Sequence, residues 1–417
     1  MTEATAPTDA SLAGVLDQAL VRSENTDWRG HDKHDGLNSP VVWALCGWSR
    51  PTRLLALQAM MRSPVNLRGL LAVPRVANPK GLALFVQAFV NRWRYEGRMA
   101  DLEMAAALAA RLDRLRSAPG AWSGRAWGYQ YPWQDLGFFA PRGTPNAVVT
   151  CFVCEALLDL HAATGDARYR DHVFEALPFL SRDLPRLLER DDALCMGYMP
   201  VKMHMRVMDV SILIGALYAR CEAEVPGLGH AQDSRRLVSY VVGQQTEAGA
   251  WWYTDPPDAS PVRIDNYHTG FILDALWRYM QASGDQSAMP AYLKGLRFYA
   301  DRLFEADGAP RWMSDQSYPH DIHGSAQGII TFARHEREYP GLASRIADWA
   351  LRNLYDGNGA FWYRRARLRA DRTFYLRWNN GWMARALSDL LLYRRGLQRS
   401  VTSMDQGRTA TATPAHA

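Results

Sequence analysis

Four short polar clusters carry residue types that can move protons. The densest is Asp265-Asn266-Tyr267-His268, and a second is His320-Asp321 with His323 and Ser325 just beyond it. Asp209 follows His204 and Arg206 in the third, and Gln134, Asp135 and Arg142 precede Asn146 in the fourth. Two carboxylates flanking a glycosidic bond could hydrolyse it, one as acid and one as base or nucleophile. Asp209, Asp265 and Asp321 can supply such a pair. Alternatively, Tyr267, His268 and His323 could serve as acid and base beside a uronate carboxylate, with an arginine neutralising it. The residue types leave both chemistries open. They also allow a structural reading, because Asp, Asn and Ser are common helix N-caps. Asp265 and His268 are three apart, one helical turn, so both can face one side of a helix. Together with Asp321 and His323 they are expected to line one pocket floor.

A glycan would need a wall to lie against. Five long segments are rich in aromatics: 121–146, 196–209, 249–270, 308–325 and 356–380. Tryptophan and tyrosine offer a flat apolar face with a polar edge, which suits a pyranose ring. Trp127, Tyr129, Trp133, Asp135, Arg142, Trp252, Tyr253, Trp312, Trp362 and Arg377 are the candidate binding residues. The arginines at 364, 365, 367, 369, 372 and 377 either line the rim to meet an acidic glycan or form a solvated loop.

The elements that must position these groups are repeated. FVCEALLDLHAATGD (152–166) and FILDALWRYMQASGD (271–285) superpose without a gap at an offset of 119 residues. Weaker copies give six apolar first helices, over 80–96, 146–162, 207–221, 267–282, 324–336 and 379–393. Amphipathic partners follow, among them 99–118, 168–188, 291–306 and 343–355, with apolar residues recurring every three or four positions. A repeat of this kind must stack or close to bury its apolar faces. The expected fold is therefore all-α, an (α/α)6 toroid with the six first helices innermost. Helices alternate in direction, so the aromatic loops should share one rim. Five helix pairs are complete, and residues 51–63 are the expected sixth partner. One domain is expected over 27–397, with disordered tails at 1–26 and 398–417.

Composition bounds the rest. The chain has 417 residues, 48% hydrophobic and 22% charged, so it can bury a large core. A net charge of +5 without a Lys/Arg block gives no nucleic-acid stripe. Five cysteines are too few, and odd in number, for a disulfide framework; Cys151 and Cys154 read as buried thiols. The N-terminus lacks a basic region followed by an apolar one, and no apolar run suggests a membrane span. A cytoplasmic location is the resulting expectation. No cofactor is expected, since no G-x-G-x-x-G or P-loop pattern occurs. No metal is expected either, because His320, Asp321 and His323 lack a recognised ligand spacing.

The hairpins, together with WRGHDKHDGLNSP (28–40), WGYQYPWQDLGFFAPRGTPN (127–146), DNYHTGF (265–271) and DIHGSAQG (321–328), resemble the six-hairpin proteins of bacterial exopolysaccharide gene clusters. The resemblance spans about residues 27–395. It implies a toroid related to six-hairpin glycosidases and to some polysaccharide lyases and epimerases. It implies a place in polysaccharide biosynthesis and an oligosaccharide or polysaccharide partner. It carries over no catalytic pair. The alternative is a non-catalytic glycan-binding or assembly protein of a polysaccharide-export system. Terpenoid or peptide cyclisation, a third option for such a ring, lacks its Asp-x-Asp-Asp run and its Cys/His zinc set.

Overall fold

The computed structural model describes residues 7–63, 65–135, 138–203 and 205–410. In chain order the helices are α1 (Asp9–Glu24), α2 (Pro40–Cys46), α3 (Arg50–Arg62), α4 (Pro79–Glu96), α5 (Met99–Arg114), α6 (Ala147–Thr164) and α7 (Ala167–Phe174). Then come α8 (Met208–Glu224), α9 (Ala231–Gly243), α10 (Asn266–Ser283), α11 (Met289–Arg302), α12 (Ile322–Ala333), α13 (Leu342–Leu354) and α14 (Trp382–Ala410). The strands are two to four residues long and lie in the connections.

Helices α4, α6, α8, α10, α12 and α14 form the inner ring, and α14 packs back on α4 to close it. An inner helix has neighbours on most sides. Accordingly α4 is buried from Pro79 through Arg92. The outer helices need only one apolar stripe. In α13 that stripe includes Leu342, Ile346, Trp349, Ala350 and Leu354. Left-handed Gly97, Gly165 and Gly284 end α4, α6 and α10, where a side chain would be strained. By length and composition α6 could cross a membrane, although no such stretch stands out in the sequence; here it is an inner-ring helix.

The sixth outer helix is α1, not residues 51–63. It lies against α14 and buries Leu12, Leu16, Ala19 and Leu20. The Asn380 amide also donates to the Ala19 carbonyl. The expected tail over 1–26 is thus replaced by a core element from Asp9 onward. Residues 398–410 likewise continue α14, and 411–417 lie outside the described residues. Helix α3 buries only Leu57 and Met60 and packs with α2 and the 35–38 turn as a flap outside the ring. A small separate core of Leu37, Val42, Leu57, Met60 and Val73 holds that flap. The second hairpin departs as well. Its outer helix stops at Phe174, a single helical turn follows at Phe179–Asp183, and at Pro185, which cannot continue a helix, the chain turns into a strand at Arg186–Glu189.

Leu16 is 1% exposed in the α1–α14 seam. Leu16→Ala should therefore cost about 2–5 kcal/mol of stability in urea denaturation. An unchanged midpoint would show that α1 is not part of the folded ring.

Candidate active site

Three rim connections share the pattern Gly-Ala-x-x-aromatic: Gly249 to Tyr253, Gly308 to Trp312 and Gly359 to Tyr363. Each glycine has positive φ, at 94°, 91° and 83°. Each also sits on the backbone of the outer helix ahead. A Cβ there would stand 2.8 Å from the Lys294 carbonyl, 2.6 Å from that of Arg345 and 2.3 Å from that of Gln18. Glycine is needed on both counts. The Gln18 contact places α1 where α11 and α13 stand in their own hairpins. Four residues on, the aromatic's carbonyl accepts from the first N–H of the preceding inner helix. Met208 donates to Tyr253 at 2.9 Å, Asn266 to Trp312 at 3.3 Å and Ile322 to Tyr363 at 3.0 Å; Ala147 donates to Tyr198 at 2.8 Å in the same way. Short ladders add to this stitching, pairing Arg206–Val207 with Thr254–Asp255 and His320–Asp321 with Arg364–Arg365. The inner-helix starts and the aromatic loops are thereby fixed to one rim.

Inside that rim lies a cavity of about 560 Å³. Tyr129, Trp133, Tyr198, Tyr253, Trp312 and Trp378 line it, and Leu54, Leu57 and Met61 of the flap close one side. Asp135, Asp209, Tyr267, His268, His323 and Arg377 also reach it.

Asp265 and Asp321 occupy matching N-cap positions but do different things. Asp321 caps α12, accepting from the His323 N–H at 2.9 Å, and also accepts from Trp378 Nε1 at 2.8 Å. Asp265 makes no capping bond. Its two oxygens face His268 Nδ1 at 3.0 and 2.9 Å, while Tyr253 stacks on the imidazole at 4.3 Å. A carboxylate on Nδ1 fixes the tautomer and leaves Nε2 as the basic nitrogen. Asp209, buried at the start of α8, has one oxygen without a partner among the described residues. Burial pushes its carboxyl above the usual range, opposed by His268 and Lys80. Burial pushes the Asp321 carboxyl up as well, against the pull of Lys33.

His323 is sandwiched between Tyr267 at 4.5 Å and Trp382 at 4.4 Å, with both ring nitrogens unpartnered among the described residues. Burial first, then Lys80 and Arg377, hold its pKa well below the ordinary value, so it is neutral. Two lysines reach the cavity. Lys33 Nζ sits 4.4 Å from the Trp378 ring and 5.6 Å from Trp312, and burial brings its pKa down to about 8 against the pull of Asp321. Lys80 lies against Phe152 at 4.1 Å and Phe271 at 4.8 Å, its pKa driven well down by burial and then Arg377.

Several expected binding residues fall elsewhere. Trp127 is buried and donates through Nε1 to the Leu112 carbonyl at 2.7 Å, so it packs the rim from within. Trp252 precedes the cavity residue Tyr253, and successive side chains of extended backbone point to opposite sides. Neither Trp252 nor Trp362 lines the cavity; Trp362 instead stacks beneath Arg372 at 4.4 Å. Arg142 is exposed outside the cavity. Arg206 is paired with Asp255 at 2.7 Å, and His204 lies outside the described residues. His320 turns away and binds the Pro310 carbonyl at 2.7 Å through Nδ1. Among the described residues no three His, Cys, Asp or Glu side chains are grouped to hold a metal. Arg364 and Arg369 join Arg62 around a neighbouring cavity of about 330 Å³. Cys151 and Cys154 are buried free thiols, pushed well up by burial. Sequence reasoning missed Lys33, His34 and Lys80, which line the cavity, and Asp32, which holds Arg377. The only advance signal for three of these was the polar run from His31 to Asp35.

No family model matches the sequence, and no curated protein is similar to it in sequence. Solved structures do match the fold. An unsaturated glucuronyl hydrolase specific for heparin superposes with a TM-score of 0.62 at 11% identity, over 94% of this chain and 97% of that one. A GH76 alpha-mannanase from Bacteroides thetaiotaomicron gives 0.61 at 12% identity, over 79% and 90%. A cellobiose 2-epimerase from Bacillus thermoamylovorans gives 0.58 at 11% identity, over 78% and 90%. The closed ring, its outer helices and this likeness agree: the chain has the (α/α)6 toroid fold.

Proposed function

We propose that the chain processes a glycan in this cavity by proton transfer beside a carboxylate, as a lyase or epimerase. The observation that carries this is the Asp265–His268 dyad on the cavity wall. His268 Nε2 takes a proton from the carbon next to the substrate carboxylate, and Asp265 stabilises the imidazolium that forms. Asp209, buried with one oxygen unpartnered among the described residues, gives a proton to the leaving oxygen in elimination or back to carbon in epimerisation. Lys33 lies beside Trp378 with no ion pair to a described carboxylate, so it is available to a substrate carboxylate. The aromatic walls take the sugar faces. The substrate is an acidic oligosaccharide or polysaccharide. A role in bacterial exopolysaccharide biosynthesis is supported by the motif runs that resemble that group.

The test is incubation with uronate-containing polysaccharides in D2O, followed by NMR. Deuterium beside the carboxylate, or a new unsaturated sugar, supports proton transfer. New reducing ends without either would mean hydrolysis, and binding without turnover would mean a glycan-binding protein.

Lys33 gives this reading a pH signature. Only its protonated form attracts a carboxylate, so kcat/KM should decline as pH rises through about 8. Lys33→Met should abolish that limb and lower kcat/KM by about 10–100-fold, the worth of one charged hydrogen bond. An unaltered profile in the variant would remove Lys33 from substrate binding.

A further inference from the structure

The flap made by α2 and α3 has an outer face that the cavity does not use. Of the thirteen large apolar side chains exposed among the described residues, seven lie between Val41 and Leu70. Leu45 is 69% exposed, Trp48 75%, Leu55 72% and Leu70 83%. Apolar side chains scattered singly over a surface need no explanation, but this concentration does. Trp48 Nε1 donates to the Leu45 carbonyl at 2.9 Å, which orders the loop tip while leaving the ring uncovered.

Helix α3 shows how the flap is divided. Leu54, Leu57, Gln58, Met61 and Arg62 border the cavity. Pro51, Leu55 and Ala59 recur every four residues and are exposed. A helix face turned to water ordinarily mixes charges of both signs. This one carries none of the negative sign. No Asp or Glu occurs anywhere between residues 36 and 95. The flap meanwhile exposes Arg50, Arg62 and Arg75. The buried Arg68 is neutralised separately by Asp35, 2.6 Å away.

We propose that this outer face docks on an anionic lipid bilayer. Exposed tryptophan and leucine interspersed with arginine, without acids, is the composition of a surface that lies in a membrane interface. Anionic headgroups supply the negative charge that the flap lacks. A second copy of the chain fits less well, because a two-fold contact would set arginines against arginines. The inner face of the flap is a wall of the cavity. Docking therefore brings the cavity to the headgroup plane, where a glycan carried on a lipid would present itself.

Vesicle flotation tests this with the full chain. The protein should float with phosphatidylcholine vesicles containing phosphatidylglycerol and remain behind with phosphatidylcholine alone. The pair Leu45→Ser and Trp48→Ser should weaken flotation by about tenfold or more, and Arg75→Glu should weaken it as well. All of these side chains are exposed, so circular dichroism and the thermal midpoint should stay as in the wild type. His268→Gln should float normally, which separates lipid docking from turnover. Absence of flotation on acidic vesicles would overturn the proposal. So would concentration-dependent dimerisation that the Leu45 and Trp48 changes abolish without any effect on lipid.

Discussion

Replacing His268 with glutamine is expected to lower glycan turnover by about 10²–10⁴-fold while leaving the fold intact. Glutamine can still donate to Asp265, so the 2% exposed carboxylate keeps a partner. What is lost is the basic nitrogen proposed to take the substrate proton. Asp265→Asn should be similarly damaging for a different reason. It preserves shape but no longer selects the Nδ1–H tautomer, so Nε2 ceases to be the base. Neither change removes a helix cap, because Asp265 makes no capping bond. Asp321→Ala is the contrasting control. It deletes a real cap and the acceptor of the buried Trp378 indole, and should cost about 1–3 kcal/mol of stability. Wild-type turnover by His268→Gln on an accepted substrate would place the chemistry elsewhere in the cavity.

The ring was legible because each hairpin repeats its apolar pattern, and the inner helices fall where the repeats begin. The Asp265–His268 pair was legible because three residues is one turn. That Asp321 caps and Asp265 does not was hidden, since both precede an inner helix in similar sequence. Helix α1 was hidden because it has few large apolar residues and its partner α14 lies at the other end of the chain. Of the aromatics named for the wall, position four after the glycine keeps Tyr253 and Trp312, while Trp252 and Trp362, one residue earlier, fall outside it. That selection depends on a carbonyl bond to another hairpin, which no local pattern records. Arg377 was read as a rim cation, but its partner Asp32 lies near the opposite end of the chain.

That pair supports the second large effect expected here. Arg377 Nε and Nη2 donate to the two Asp32 oxygens at 2.6 and 2.5 Å, with both side chains almost wholly buried. Asp32 also accepts from the Asn78 amide at 3.0 Å and the Lys33 N–H at 2.8 Å. It therefore ties the 30–35 segment to the start of α4 and to the turn before α14. Arg377→Ala would leave a buried carboxylate without its cation and should cost about 3–5 kcal/mol in urea denaturation at neutral pH. Arg377→Lys should recover only part, because an ammonium cannot make the two-point fork. Arg377→Met combined with Asp32→Asn should be more stable than Arg377→Ala alone, since no buried charge remains. The pair also sets an acid limit. Burial pushes the Asp32 carboxyl up, but Arg377 outweighs it and holds the pKa at about 2, below the ordinary 3.8. The unfolded chain then binds the proton first. This stabilisation should be complete above about pH 4 and lost as pH falls through about 2. In Asp32→Asn that acid-dependent loss should shrink. If Arg377→Ala instead cost less than about 1 kcal/mol and only weakened glycan binding, Arg377 would be a substrate contact and not the clasp of the N-terminal segment.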